Sequence, residues 1–317
     1  MRKLFIKIIG QVFSIGIFVG LFMFSLFITY GYRYDFEENQ LVQTGVIDVC
    51  VIPNDVALYL DGKFYSNKGC EKMFGINVGA HEVEARKDGY YTWAKRLYSD
   101  NEKAAMYAQV FLIPLPDFYS SITLNEKVNK VWISPDQSKY AVYDNILNVI
   151  RVFSASRINP YILEAPIKID DLLWADNNTI IADSSEGRYE ADIYKGEWKL
   201  VEQIILLPEK MQNGIIVDGG ELWREDNGIK KFITRYSEPM ESAQYFYNQS
   251  NLLITMKNEI KICDFEGDNC HVIANKDPGT PVAHPARSKK VVFIKDGDLV
   301  QLTINGPKKD AEVLINL

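Results

Sequence analysis

The hydrophobic pattern divides the chain into regions of different period. An uncharged run of 25 residues, dense in Ile, Phe, Leu and Val, extends from Ile8 to Tyr32. After a polar stretch over 33–40, short apolar segments alternate with polar residues and with turns rich in Gly, Asn and Asp. Alternation with a period of two between such turns predicts β-strands. We therefore expect an all-β protein with one N-terminal helix.

The apolar run predicts a transmembrane helix over 8–32, because about 20 such residues span a bilayer as a helix. Tyrosines cluster at its far end, as in an interfacial aromatic belt. Basic residues precede it, so the positive-inside rule predicts a cytoplasmic tail over 1–7, an extracytoplasmic spacer over 33–40 and extracytoplasmic domains beyond it. The predicted localisation is therefore the cell membrane, with a single pass.

A cleaved signal peptide is the alternative to this anchor. Signal peptides have an apolar core of about 7–15 residues and a small-x-small cleavage site. Here the run is longer and offers no such site, which favours an uncleaved anchor. Gly16 and Gly20 fit the G-x-x-x-G pattern of packed membrane helices, although glycine is also common in such helices generally. The predicted partners of this segment are the lipid bilayer and, through the two glycines, a second copy in a weak homodimer.

Residues 41–116 predict a small antiparallel β-sandwich. Val46–Ile52 is a strand that stops at Pro53, and the next apolar segment ends at the tight Asp61-Gly62 turn. His81–Arg86 alternates strictly between apolar and polar positions, and no window of this region shows a helical period.

The order of motifs in this region resembles the PEGA domain, a small β-module of bacterial and archaeal surface proteins. The motifs are, in order, Thr44-Gly45, Pro53, Ala57–Lys63, Val78–Val83, Lys87–Tyr90, Trp93 and Leu112–Pro114. The name-giving Pro-Glu-Gly-Ala stretch reads Pro53–Ala57, without its glycine, and Gly69-Cys70-Glu71 stands in place of the usual Thr-Pro. The resemblance implies an extracytoplasmic sandwich module with no catalysis and no settled ligand.

Residues 120–317 contain five segments of one design, a polar turn followed by an apolar strand and a second strand. The apolar strands begin at Tyr140, Ile180, Ile215, Leu252 and Val291. A period near 40 residues with several strands per unit is typical of a β-propeller, here of about five blades. A strand over 311–315 could close the ring by pairing near residues 121–124. An open array of β-sandwiches is the alternative architecture.

Two stretches of this region resemble TolB-like propeller repeats. Val131–Asp136 is similar to the start of such a repeat. Asp264–Asn269 is similar to its Asp-x-x-Gly-x-Asn hairpin.

Charge argues against one class of partner. The chain has 42 acidic and 35 basic side chains and a net charge of −7. Nucleic-acid binding relies on a basic surface that releases counterions. We therefore expect no nucleic-acid partner, and the acidic, aromatic-rich surface leaves envelope proteins and glycans as partners.

Residues of catalytic or metal-binding type are scattered. His81, His271 and His284 are far apart in sequence, and no nucleophile elbow, P-loop or dinucleotide motif occurs. Asp264–Asp268 and Asp296–Asp298 offer oxygens for Ca²⁺, but Asp-Gly is favoured in hairpin turns for backbone reasons. The five tryptophans could form a binding platform, although tryptophan at a fixed place in a β-repeat is more often core. We predict no catalytic residues, no metal site and no cofactor.

Four cysteines at 50, 70, 263 and 270 allow three disulfide pairings. The two-domain organisation favours Cys50–Cys70 and Cys263–Cys270, and buried free thiols are the alternative.

These observations predict a non-enzymatic, membrane-anchored protein that acts in extracytoplasmic binding or as an envelope scaffold. The alternative is an extracytoplasmic glycosidase or peptidase supported by the propeller, which would need convergent carboxylates or a Ser/His pair.

Overall fold

The computed structural model describes residues 2–36, 39–100, 105–128, 130–136, 138–154, 159–201, 214–226, 228–247, 250–284 and 288–307. The chain forms two compact units. Unit 1 comprises Met1–Asp88 and Thr92–Leu112, and unit 2 comprises Gly89–Tyr91 and Ile113–Leu317.

The N-terminal segment of unit 1 forms helix α1 (Arg2–Thr29). Within the described part of the chain, no helix is long and apolar enough to cross a membrane. The predictions of a transmembrane helix over 8–32, of a cytoplasmic tail over 1–7 and of a single-pass membrane protein with an extracytoplasmic body are therefore wrong.

Gly16 and Gly20 of α1 lie on an open surface. A Cβ atom added at Gly16 or Gly20 would meet no heavy atom of the described residues within 4 Å. Their role in helix pairing stays a prediction.

Unit 1 contains eight strands in its described residues, in two four-stranded sheets. The strands are β1 (Tyr32–Asp35), β2 (Gln40–Ile52), β3 (Ala57–Leu60), β4 (Lys63–Ser66), β5 (Cys70–Asn77), β6 (Gly79–Arg86), β7 (Trp93–Ser99) and β8 (Ala105–Phe111). The first sheet joins β1, β2, β5 and β8, and the second has the order β4-β3-β6-β7.

Each sheet of unit 1 buries one face, as its alternating pattern requires. Ile47, Val49 and Val51 on β2 are fully buried, and so are Val83 and Ala85 on β6. The pairing of β2 with β8 is parallel, so the first sheet is mixed and not purely antiparallel as the sequence suggested.

Unit 2 begins with a 3₁₀ turn over Pro116–Phe118 and continues with strands that form five sheets in the described ranges. We call these sheets blades 1 to 5. After β9 (Tyr119–Lys127), blade 1 contains β10 (Trp132–Ile133), β11 (Lys139–Asp144), β12 (Val149–Ser154) and β13 (Tyr161–Glu164). Blade 2 contains β14 (Asp171–Trp174), β15 (Thr179–Ser184), β16 (Gly187–Asp192) and β17 (Trp198–Leu200).

The remaining blades follow the same order along the chain. Blade 3 contains β18 (Ile215–Asp218), β19 (Glu221–Asp226) and β20 (Ile229–Arg235). Blade 4 contains β21 (Ser242–Phe246), β22 (Asn251–Thr255), β23 (Glu259–Asp264) and β24 (His271–Asn275). Blade 5 contains β25 (Lys290–Lys295) and β26 (Asp298–Ile304), to which β9 is added.

The first strand of unit 2 pairs with the last described strand, and this closes the ring. β9 runs antiparallel to β26, with Ser121 opposite Leu302 and Thr123 opposite Val300. Blade 5 is therefore built from both ends of unit 2, as in a closed propeller. The predicted closing strand over 311–315 lies outside the described residues.

Neighbouring blades share hydrophobic cores. One cluster joins Ile150 and Leu163 of blade 1 to Leu172 of blade 2. A second joins blade 5 to blade 1, and a third joins blade 3 to blade 4. Sequential antiparallel sheets, ring closure and cores between adjacent sheets confirm the predicted β-propeller.

The repeat found in the sequence corresponds to one strand of each blade. The predicted starts at Tyr140, Ile180 and Leu252 fall one residue inside β11, β15 and β22, each the second strand of its sheet. Ile215 begins β18, and the turn predicted at 211–213 lies outside the described residues.

Candidate functional site

The three histidines lie apart and contact different partners. The ring nitrogens of His81 are each 2.7 Å from an oxygen, one on the Asp61 carboxylate and one on the Asn77 main chain. Burial lowers the pKa of His271 and that of His284. In the ranges described above, no three His, Cys, Asp or Glu side chains are arranged to hold a metal ion.

The two acidic turns considered for Ca²⁺ have backbone partners. The Asp264 carboxylate accepts hydrogen bonds from the N–H groups of Glu266 and Asp268, at 3.1 and 2.9 Å. In the other turn, the N–H groups of Asp296 and Gly297 donate to the carboxylate of a neighbouring segment. Asp264 thus orders its own turn, whereas the turn over 296–298 is ordered by Asp277 of the neighbouring segment.

The tryptophans contribute to several separate regions. Trp93 and Trp174 are buried, and Trp132 and Trp198 pack against the core shared by blades 1 and 2. Trp223 lies on blade 3, where its ring meets a phenylalanine edge to face at 5.2 Å. They do not form one common platform.

The cysteines are placed in the two pairs that the domain organisation favoured. Cys50 and Cys70 are opposite each other on β2 and β5 and form a disulfide. Cys263 and Cys270 form a second one across the β23–β24 hairpin. Whether the protein made by cells carries these bonds stays a prediction, for which a test is given below.

Hydrogen bonds lower the pKa of four aspartate side chains and so keep them ionised. Burial alone would raise the pKa of Asp171, but hydrogen bonds from Lys130 and the Trp132 indole lower it. The pKa is likewise lowered at three other carboxyls, Asp61, Asp136 and Asp144. A general acid of a glycosidase needs the opposite shift.

Two adjacent aliphatic side chains are exposed at one hairpin of blade 1, and one of them, Ile146, is the most exposed large apolar side chain among the described residues of unit 2. β11 and β12 are joined by a turn, and we call Asp144–Asn148 the blade 1 tip. Ile146 is 89% exposed and Leu147 is 63% exposed. Turns at a protein surface are usually polar, so two adjacent large aliphatic residues at a tip need an explanation.

The tip is held in shape by the aspartate that begins it. One carboxylate oxygen of Asp144 accepts hydrogen bonds from the N–H groups of Ile146 and Leu147, at 2.9 and 3.0 Å. The other accepts one from Arg151 at 3.2 Å. The N–H of Leu147, with smaller contributions from Ile146 and Arg151, lowers the pKa of Asp144 below its ordinary value.

The other end of the tip is fixed by an asparagine. Asn148 has φ +56°, a left-handed conformation that asparagine tolerates better than most residues. Its side-chain oxygen accepts a 2.6 Å hydrogen bond from Tyr143, and its amide nitrogen donates to the main-chain oxygen of Ala165 at 3.0 Å. The same Tyr143 hydroxyl accepts a bond from the N–H of Ile169.

These bonds join the tip to the segment that connects blades 1 and 2. In that segment Pro166 and Lys168 are exposed and Ile167 is half-buried. The result is a small exposed apolar turn on a backbone that is ordered by hydrogen bonds at both ends. Such a surface can bind an apolar pocket of a partner with little loss of conformational entropy.

The local sequence pattern did not predict this site. Residues 145–148 separate two strands, and a turn between strands does not by itself indicate a binding site. The sequence does contain an indication of an ordered turn, because Asp144 and Asn148, four residues apart, flank Ile146-Leu147. Both polar residues favour local side-chain to backbone hydrogen bonds.

Comparison with known proteins gives no family for this chain. No family model matches it, and no curated protein matches it. Similar solved structures include a structural genomics protein of unknown function from Bacteroides thetaiotaomicron, at 7% identity and a TM-score of 0.32, covering 78% of this chain and 90% of that chain.

Two further structures are similar over about half of the chain. Regucalcin, a calcium-binding protein from Agrobacterium tumefaciens, is 10% identical with a TM-score of 0.22, covering 54% of this chain and 71% of its own. The β-propeller domain of Myceliophteria thermophila Cps50 (Swd1) is 12% identical with a TM-score of 0.22, covering 55% and 64%. At these values the similarities carry no argument about function, and the propeller rests on sheet order and ring closure.

Proposed function

We propose that this protein is a non-catalytic binding protein, a scaffold whose propeller docks a partner protein through the blade 1 tip. The observation that carries the proposal is the exposure of Ile146 and Leu147 on a turn ordered by Asp144 and Asn148. A turn this well ordered can retain its shape when it enters a pocket.

The energetics support an interaction of useful strength. Burial of a large aliphatic side chain contributes roughly 2 kcal/mol. Ile146 and Leu147 are 89% and 63% exposed, so most of this free energy is available to a partner. Interfaces are commonly dominated by a few residues near their centre. The expected partner has an apolar pocket that is wide enough for two adjacent aliphatic side chains.

The hydrolase hypothesis has less support. An acid catalyst must stay protonated near neutral pH, whereas the pKa is lowered at Asp61, Asp136, Asp144 and Asp171, so none of these four carboxyls suits that role. Turnover of a glycoside or peptide that is abolished by replacement of a single Asp or Glu would overturn the binding proposal.

Site-directed photocrosslinking in the producing cells tests the docking surface. A photoreactive amino acid replaces Leu147 in one version of the full chain and Ile229 in a matched control. Ile229 is 72% exposed on β20 of blade 3. We expect a discrete adduct with another protein from position 147 and none from position 229, and we expect Ile146→Asp to abolish it.

Binding to the purified partner then measures the contribution of the tip. The double variant Ile146→Ala/Leu147→Ala should weaken binding at least about a hundredfold, since each tenfold change corresponds to about 1.4 kcal/mol. An adduct that persists in Ile146→Asp, equal adducts from both positions, or an adduct with a second copy of this chain would contradict the proposal.

The family resemblances are retained as part of this proposal. We propose that unit 1 is a PEGA-like module and that the blades are TolB-like repeats. The Asp61-Gly62 turn and the Asp264–Asn269 hairpin, two motifs behind these resemblances, both lie between paired strands.

A further inference from the structure

A second surface, independent of the propeller, lies on the outer face of the β4-β3-β6-β7 sheet in unit 1. Strand register places seven residues with prominent side chains on it: Tyr59, Phe64, Glu82, Glu84, Arg86, Arg96 and Tyr98. We call these the outer face. The opposite side of the sheet carries the buried apolar residues Leu58, Val83 and Ala85, so one side faces the core and the other faces solvent.

The outer face exposes aromatic rings on neighbouring strands of one sheet. Phe64 is 61% exposed and Tyr98 is 63% exposed. Phe64 meets Tyr59 edge to face, with ring centroids 5.8 Å apart. With about 4.8 Å between strands and about 3.3 Å per residue, Phe64 and Tyr98 are separated by roughly 20 Å across the sheet. The surface therefore suits an extended ligand.

A fixed pair of opposite charges adjoins these rings. The Arg86 guanidinium lies 4.4 Å over the Tyr59 ring, and its Nε and Nη2 donate to one Glu84 carboxylate oxygen at 2.9 and 2.5 Å. Arg86 remains 48% exposed. A guanidinium has five N–H donors, so several remain available to a ligand. The pair is electrically neutral and offers donors and an acceptor side by side.

A second glutamate and arginine are opposite each other further along the sheet. Glu82 is directly opposite Arg96, and the exposed Tyr98 is two residues beyond Arg96 on the same face. Each end of the face thus combines an aromatic ring with one arginine and one glutamate. A charged ligand would meet a repelling partner in each pair, whereas an uncharged polyhydroxyl ligand can both donate to the glutamate and accept from the arginine.

We propose that the outer face binds a neutral polysaccharide chain. The aromatic rings contact the apolar C–H faces of the sugars, and the Arg/Glu pairs bind their hydroxyl groups. This activity does not depend on the protein-docking function proposed for blade 1.

Calorimetric titration of the full chain with neutral hexasaccharides tests the proposal, using cellohexaose, laminarihexaose and chitohexaose as probes and hexagalacturonic acid as the charged control. We expect at least one neutral probe to bind and the charged probe to bind at least about tenfold more weakly. Phe64→Ala should weaken binding about tenfold, the order expected for loss of one aromatic contact. Phe74→Ala is the matched control, because Phe74 is 64% exposed on β5 in the other sheet.

A second variant covers the case in which Phe64→Ala misfolds. Phe64→Trp places an indole on the face, and its fluorescence, taken as the difference from the parent chain, should change with the same midpoint as the calorimetric signal. Failure of all neutral probes to bind, equal weakening by Phe64→Ala and Phe74→Ala, equal affinity for the acidic probe, or an unresponsive Phe64→Trp would each overturn the proposal.

Discussion

The β11–β12 hairpin of blade 1 and the β23–β24 hairpin of blade 4 use the same device for different purposes. In each, an aspartate at the start of the turn accepts hydrogen bonds from backbone N–H groups of that turn. Asp264 is buried, and its turn is linked at both ends by Cys263 and Cys270. The Asp144 turn instead directs two aliphatic residues into water.

The surroundings of each turn explain the difference. The Tyr236 hydroxyl donates to the main-chain oxygen of Gly267 at 3.1 Å and lies 3.1 Å from the sulfur of Cys270, and burial raises the pKa of this tyrosine to about 12. A Cβ atom at Gly267 would come within 2.5 Å of Thr234. The blade 4 turn is thus packed against blade 3. The blade 1 tip is instead hydrogen-bonded to the segment after β13 through Asn148, while Ile146 and Leu147 are exposed to solvent. The same backbone motif can therefore stabilise the fold where other residues pack on it, or expose side chains to a partner where none do.

The largest effect is expected at Asp264. Asp264→Ala removes a buried acceptor of hydrogen bonds from Glu266, Asp268 and Asn269. Loss of a buried acceptor that leaves several donors unsatisfied should lower the free energy of unfolding by about 3 kcal/mol. Asp144→Ala is the matched change at the exposed turn and should cost about 1 kcal/mol. Urea unfolding of both variants measures the contrast, and equal losses would show that the turns do not differ in this way.

Removal of the Cys263–Cys270 bond should have the next largest effect. Cys263→Ser/Cys270→Ser should lower the free energy of unfolding by about 2–3 kcal/mol, as expected from the loop-entropy model for a short loop. Mass mapping of protein purified without reductant should find Cys50 linked to Cys70 and Cys263 linked to Cys270. Four thiols that react with an alkylating reagent in that protein would contradict the pairing.

Acid should disorder the blade 1 tip. The folded-state pKa of Asp144 is lowered, so the carboxylate contributes order above its ordinary titration range, and this contribution is lost as pH falls through the lowered value. Amide NMR shifts of Ile146 and Leu147 between pH 6 and 2 should therefore follow a titration below the ordinary range of aspartate, and Asp144→Asn should remove it. A midpoint above that range would refute the mechanism.

The smallest change in stability is expected from the aliphatic residues of the tip. Ile146→Ala/Leu147→Ala should alter the free energy of unfolding by less than about 0.5 kcal/mol, because both side chains are exposed. Leu163→Ala, at a buried position of the same blade, should cost about 3 kcal/mol and serves as the reference. A loss above 1 kcal/mol in the double variant, read in the same urea experiment, would mean that the tip supports the fold.

The sequence predicted the parts of the fold that depend on local patterns. The period near 40 residues located the strands that begin near Tyr140, Ile180 and Leu252, because alternation and turn chemistry are local properties. Ring closure near residues 121–124 was expected, but its partner strand was placed at 311–315. The observed pairing of β9 with β26 joins segments that are distant in sequence, so a local pattern does not determine it. The prediction of a transmembrane helix over 8–32, made from the uncharged apolar run, was wrong. The blade 1 tip was missed because exposure depends on neighbouring segments that the local pattern does not contain.

The closure of blade 5 has a consequence for the nascent chain. β9 ends at Lys127 and its partner begins at Asp298, so at about 5–20 residues per second a ribosome needs roughly 9–34 s to synthesise the intervening residues. During that time β9 lacks the neighbour that it has in the finished ring, and an unpaired strand edge is a template for aggregation. Translation speed and chaperone access in this interval should therefore influence how much of the newly made protein reaches its native state.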